Sequence, residues 1–230
     1  MKKGLNLTLT ILYIIAVSVL ILTFSVALPI YCRIFYYVQI NALGLPEATG
    51  YDYNTIKAAY DEVLNYLTLG GAFGTGVFAH TEEGAAHFAD CKRLFDINVI
   101  ALFASFCTVF ALKLLDRAKK ISLLKVGGFN PSFVSAVLLI SAFVVIGIAV
   151  AVDFNGAFVA FHHIFFPGKT NWTFDERYDQ IIKILPARFF LNCAVLIFVS
   201  LALFCGIIIF LAVRERRKEK KSSGVSAKQS

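Results

Sequence analysis

The four histidines come first, because imidazole is the side chain whose ordinary pKa lies nearest neutrality and so the readiest proton carrier. His80 and His87 fall in one polar stretch, His162 and His163 in another, and both stretches are bounded by apolar runs long enough to cross a bilayer. His87 and Asp90 are three residues apart on an expected helix, with Glu83 on the same face. A carboxylate beside an imidazole fixes its tautomer and raises its basicity, which is half of a general-base arrangement. The plain alternative is a solvated pair on an interfacial helix. His162 and His163 sit within Phe161-His162-His163-Ile164-Phe165-Phe166. A histidine among phenylalanines at membrane depth is costly to ionise. Adjacent helical residues diverge by about 100°, so only one of the two can face a shared site. Its plain alternative is an interfacial histidine with its polar tip among the headgroups.

Nucleophiles are scarce near these bases. The stretches 32–98 and 153–188 contain no serine, which nearly excludes a Ser-His-Asp hydrolase there. Cys91 is offset from His87 by about 40° around the helix and is expected to project to a different face. A site with bases and no good nucleophile suits a reaction whose nucleophile comes from the substrate. A rival reading joins His87, Asp90 and His162 as three metal ligands, although no H-E-x-x-H or comparable paired motif is present.

The elements that must hold these groups are legible from composition. The 230 residues are 58% hydrophobic with a mean hydropathy of +0.74, and the apolar residues come in blocks. Four blocks, about 7–31, 99–115, 133–152 and 189–213, approach or exceed the roughly 20 residues that a spanning helix needs. None alternates with a two-residue period, which argues against a barrel. The expected fold is all-α, a polytopic membrane protein with four transmembrane helices and short interfacial helices in two outer loops. Residues 1–213 form one integral membrane domain, and 214–230 read as a basic disordered tail. The first block is too long for a signal-peptide core. Leu28–Cys32 loosely matches a lipoprotein cleavage box, but Tyr31 is too bulky for it, so the helix reads as retained.

Charge sets the expected topology. The presumed inner segments hold 14 of the 22 Lys and Arg against 3 of the 15 acids, while the outer ones hold the rest. By the positive-inside rule both termini are cytoplasmic and the histidine loops extracytoplasmic. The net charge of +7 therefore reflects topology and attraction to the inner leaflet, not nucleic-acid binding. Five cysteines without C-x-x-C spacing give no disulfide framework, and Cys107, Cys193 and Cys205 lie in spans.

Within the first outer loop, Ile56, Ala59, Tyr60, Val63, Leu64 and Leu67 mark an amphipathic helix over 55–69, expected to lie in the interface. The stretch 69–76 breaks it as a flexible turn. Thr81 can cap a new helix with Glu82 and Glu83 in its first turn, running through His87 into the second span. In the second outer loop, 153–166 reads as a short helix ending at Pro167-Gly168. Trp172, Phe174 and Tyr178 fit an aromatic belt, and Pro186 fits the first turn of the last helix.

The chain resembles the lipoprotein intramolecular transacylase (Lit) family of bacterial four-helix membrane proteins over nearly all its length up to the tail. The resemblance rests on His87-Phe88-Ala89-Asp90-Cys91-Lys92-Arg93-Leu94-Phe95, on Phe161 to Phe166, on Asn171-Trp172, Leu185-Pro186 and Phe189-Phe190, and on Tyr60 and Tyr66-Leu67. Cys91 stands where an aliphatic residue is expected, and the Gly70–Gly76 stretch departs from the pattern. His80 and His163 fall outside it.

The resemblance implies a multi-pass enzyme of the bacterial cytoplasmic membrane. Its substrate and partner would be the diacylglyceryl-modified N-terminal cysteine of a lipoprotein, among membrane lipids, with no nucleic acid and no cofactor. Such enzymes move the sn-2 acyl chain to the α-amine of the same cysteine. The expected catalytic set is His87 as base, Asp90 as its orienting carboxylate and His162 as acid, or with the two histidines exchanged. The expected substrate-binding set is Lys92, as an oxyanion partner, with Tyr60, Phe161, Phe165, Phe166 and Trp172. A zinc-dependent membrane hydrolase and a non-catalytic scaffold are the other classes. A transporter is disfavoured because no charge lies mid-span.

Overall fold

A computed structural model describes residues 2–226; Met1 and residues 227–230, which include Lys228 and the end of the tail, lie outside the described residues. The described chain is helical, in the order α1 (Lys2–Tyr31), α2 (Arg33–Ala42), α3 (Leu45–Thr49), α4 (Tyr53–Thr68), α5 (Glu82–Arg117), α6 (Pro131–Val152), α7 (Phe154–Phe165) and α8 (Ala187–Ser226). A 3-10 turn over Gln180–Ile184 precedes α8. Four helices, α1, α5, α6 and α8, are long and apolar enough to cross a membrane, and they contain the four expected blocks. The chain divides into two compact units.

One unit gathers the described residues up to Ser25, Ile100–Gly147, and the chain from Phe198 on. Its core of Tyr13, Val17, Ile21, Leu112, Ala136, Leu201 and Cys205 draws on all four spanning helices. Small and hydroxyl residues let the helices approach, as membrane packing requires: Ser135 donates to the Ile14 carbonyl at 3.0 Å, and the Tyr13 hydroxyl meets Ser132 at 3.0 Å. Phe103, Phe106 and Phe110 stay exposed on α5, as a lipid-facing surface demands. The tail expected to be disordered is helical as far as Ser226. Its Lys, Arg and Glu residues are good helix formers. Three contacts hold it to the 125–130 turn: Lys125 to Glu219 at 2.6 Å, Asn130 to Glu215 at 3.0 Å, and Arg216 over the Phe129 ring.

The other unit comprises Val26–Val99 and Ile148–Ile197, and it holds all four histidines. Asp52 caps α4 by accepting from the Thr55 amide. The six apolar residues read from the periodicity are the ones α4 buries. That face is covered by protein rather than by lipid, packing against Tyr36, Ile40, Leu45, Ile181, Ile184 and Phe189. Burial of this size is the main force holding the unit together, at about 25 cal/mol per Å² of apolar surface. Tyr60 stacks on Tyr36 with centroids 3.6 Å apart, and the Tyr36 hydroxyl donates to the Ile184 carbonyl at 2.8 Å. On the opposite side of α4, Asp61 accepts from Arg33, Tyr37 and Lys57, tying α2 to α4. Helices α2 and α3, joined through left-handed Gly44, were not expected from the sequence.

Candidate active site

The N-terminus of α5 is set by two acceptors. Thr81 accepts from the Gly84 amide at 3.0 Å as the expected cap, and Asp179 in turn accepts from both the Thr81 amide and its hydroxyl. A Cβ on residue 84 would collide with the Asp179 carboxylate, so the close approach requires glycine. One turn further on, His87 is buried. Helix α7 forms within the expected 153–166, and Asp153 leaves helical geometry and caps it by accepting from the Gly156 amide at 2.9 Å. The break separates α7 from α6. As the 100° rule requires, α7 buries His162 and leaves His163 exposed.

The two buried imidazoles come together, with ring centroids 5.7 Å apart. Aromatic rings enclose them. Phe166 lies 4.9 Å from His87 and 5.7 Å from His162; Phe174 packs on His87, Phe158 on His162, and Trp172 stacks on His162 at 4.6 Å. His162 Nδ1 lies 2.7 Å from the Phe158 carbonyl oxygen. A carbonyl only accepts, so Nδ1 carries the hydrogen and the neutral ring presents its lone pair at Nε2. Burial makes His162 harder to protonate than an ordinary imidazole, partly opposed by the Phe158 bond. His87 Nδ1 is buried with no hydrogen-bond partner among the described residues, while Nε2 lies 3.4 Å from Cys91 Sγ. Cys91 is therefore beside His87, contrary to expectation: a 40° offset at i, i+4 keeps two residues on one helical face.

Asp90 does not orient His87. Its carboxylate accepts from Lys169 Nζ through both oxygens and from Asn171 Nδ2 at 3.3 Å, with Arg93 at 3.7 Å. A cation and an amide donor outcompete a neutral imidazole for a nearly buried carboxylate. The strap that brings them starts at Phe166, whose amide closes α7 on the His162 carbonyl. Pro167 and left-handed Gly168 then reverse the chain. The Trp172 indole donates to the Lys169 carbonyl at 3.0 Å, which sets its ring over His162. Trp172 and Phe174 thus pack on the histidines, not in an aromatic belt; only Tyr178 of that trio is strongly exposed.

The other expected substrate contacts divide. Phe166 lines the pair, and Phe161 and Phe165, each about half exposed, stack at its edge. Tyr60 belongs to the core described above. Lys92 has Asp96 at 3.8 Å and the Tyr66 ring as neighbours, so it is no oxyanion donor to the pair. His80 bonds Thr75. Among the described residues, no three His, Cys, Asp or Glu groups are arranged to hold a metal ion. The rival metal trio of His87, Asp90 and His162 gains no support, because the Asp90 carboxylate is paired with Lys169. Sequence reasoning missed Lys169 and the role of Asn171; the one usable signal was a lysine just after Pro167-Gly168, where a turn can swing it back.

The chain matches solved structures of the lipoprotein intramolecular transacylase Lit from Bacillus cereus. One, determined in meso, superposes with a TM-score of 0.83 at 22% identity, covering 96% of this chain and 99% of that one. Two others carry a histidine replaced by arginine or by alanine. The arginine form gives a TM-score of 0.77 at 22% identity, covering 96% of both chains. The alanine form gives 0.75 at 21%, covering 94% and 97%. No curated protein matches the chain significantly. The family model for the lipoprotein intramolecular transacylase Lit matches residues 11–190. The chain, a multi-pass integral membrane protein, therefore belongs to the Lit family of lipoprotein intramolecular transacylases, which are enzymes.

Proposed function

We propose that this protein moves the sn-2 acyl chain of a diacylglyceryl-cysteine lipoprotein onto the α-amine of that same cysteine, at the extracytoplasmic face of the bacterial cytoplasmic membrane. The product is a lyso-form lipoprotein, N-acylated and S-monoacylglyceryl. The observation that carries the reading is the 5.7 Å approach of two buried imidazoles, His87 and His162. The sidedness rests on the basic residues of the opposite segments.

The amine attacks the sn-2 ester carbonyl, forming the C–N bond, and the glyceryl C–O bond breaks. One proton leaves the nitrogen and one reaches the glyceryl oxygen, so neither water nor a co-reactant is consumed. His162 is the better base, because its tautomer is fixed with the lone pair on Nε2. His87 serves the departing oxygen, relaying to it the proton that His162 has taken from the amine, so both rings end neutral as they began. This assignment exchanges the roles first expected of the two rings. The phenylalanine shell keeps water from the ester, and Phe161 and Phe165 offer apolar surface to an acyl chain. Holding amine and ester in one substrate gives the effective-molarity gain of an intramolecular reaction.

The test is purified protein with a diacylglyceryl-cysteine lipopeptide carrying an isotopic label in its sn-2 chain only, read by mass spectrometry. All label should appear on the cysteine nitrogen. Label released as free fatty acid, or retained on glycerol, overturns the proposal.

A further inference from the structure

We propose that the Asn171 side-chain carbonyl recognises the substrate's α-amino group, accepting one of its N–H bonds while another proton is drawn toward the histidines. This rests on the transacylase reading above. Asp90 fixes the orientation of the amide: a carboxylate can only accept, so Nδ2 faces it at 3.3 Å and Oδ1 is turned to the other side. There Oδ1 is buried with no hydrogen-bond donor among the described residues. A buried unsatisfied acceptor costs free energy in the resting protein and calls for an explanation. His87 Nδ1 is the other unsatisfied site atom, one turn from Asp90 on α5. Trp172, the next residue after Asn171, stacks on His162, so the amide sits within the surroundings of both bases.

The chemistry of the substrate narrows what such an acceptor can meet. The two esters and the thioether of a diacylglyceryl-cysteine offer acceptors only. Donors come from the α-amine and the following peptide N–H groups. A neutral carbonyl suits an amine that must lose a proton before it attacks. A free carboxylate would hold it as ammonium and raise its pKa. The nearby carboxylate, Asp90, is already neutralised by Lys169. Carbonyl and ion pair together therefore bind the amine without trapping its charge.

The test uses two unreactive lipopeptides in which ether bonds replace both esters. One bears S-(dialkylglyceryl)cysteine with a free α-amine; in the other, 3-mercaptopropionyl replaces the cysteine, so the amine is absent and every peptide N–H remains. Wild type should bind the amine form about tenfold more tightly, as one such hydrogen bond implies. Asn171→Leu should bring that ratio below about threefold while binding the desamino form within about twofold of wild type. Asn171→Ser, too short to reach and kinder to the loop, should do the same. A ratio near one in wild type, a ratio preserved in the variants, or equal weakening of both ligands overturns the proposal. Wild type that transfers no acyl chain from the ester substrate defeats the transacylase reading instead.

Discussion

The Lys169–Asp90 pair makes a prediction that separates two accounts of Asp90. The Asp90 side chain is 10% exposed and that of Lys169 44%. Breaking a fully buried pair costs about 3–5 kcal/mol, while an exposed one is worth about 0–1 kcal/mol. With the lysine nearly half in solvent and Arg93 and Asn171 still near the carboxylate, Lys169→Met should cost about 1–2 kcal/mol of stability. Asp90→Asn keeps an acceptor for the lysine and should cost about 0.5–1 kcal/mol. The double variant leaves no unpaired charge, so its loss should fall short of the sum by about 1 kcal/mol. The assays are thermal unfolding in detergent and the rate of lyso-lipopeptide formation. Because the pair anchors the strap carrying Trp172, both single variants should lower the rate and the double should lower it no further. If Asp90→Asn alone abolishes transfer, Lys169→Met does not, and stabilities add, Asp90 works on His87 directly and the strap account is wrong.

Three further outcomes follow from the same geometry. Burial disfavours the protonated form of His162, so an NMR titration of its ring in the folded, substrate-free protein should have its midpoint below the ordinary 6.5; a midpoint at or above that value contradicts a buried base. The linked stability has the matching sign: it is full above the unfolded pKa and is lost as pH falls through the lower folded value, because the unfolded chain takes up the proton first. Gly84→Ala forces a methyl group onto the Asp179 carboxylate and the Phe174 ring, and should cost about 1–3 kcal/mol by thermal unfolding, with wild-type stability refuting the close contact. Trp172→Ala removes the stack on His162 and should lower kcat about tenfold with little change in KM, and Trp172→Phe should restore most of it; an effect confined to KM would make Trp172 a substrate contact only.

Local pattern carried far here, and long-range competition did not. The apolar face of α4 was readable because a 3.6-residue period needs no partner to be seen, yet what covers it, from Tyr36 to Phe189, was not. The Thr81 cap was visible as a residue type before an acidic first turn, whereas the Asp153 cap emerged only from the structure; the burial of one histidine from the adjacent pair follows from helix geometry alone. The i, i+3 spacing of His87 and Asp90 correctly put both on one helix, but spacing says nothing about a lysine 79 residues away that binds the carboxylate more strongly. Tyr60 was expected as a substrate contact only through the family resemblance; its ring is consumed by stacking on Tyr36. Helix α2 was hidden because its residues follow the first apolar block with only Cys32 between. The charged tail looked unable to fold because its partners, Lys125, Phe129 and Asn130, lie in a turn some 90 residues earlier.

The paired histidines are best tested by single-turnover rates of His87→Ala, His162→Ala and the double variant on a diacyl lipopeptide, with each protein shown to be folded. Two rings acting on one ester should each cost about 10²–10⁴ in rate, and removing both should cost scarcely more than removing one. A single variant that still turns over at the wild-type rate, or losses that multiply in the double, would contradict a shared catalytic unit.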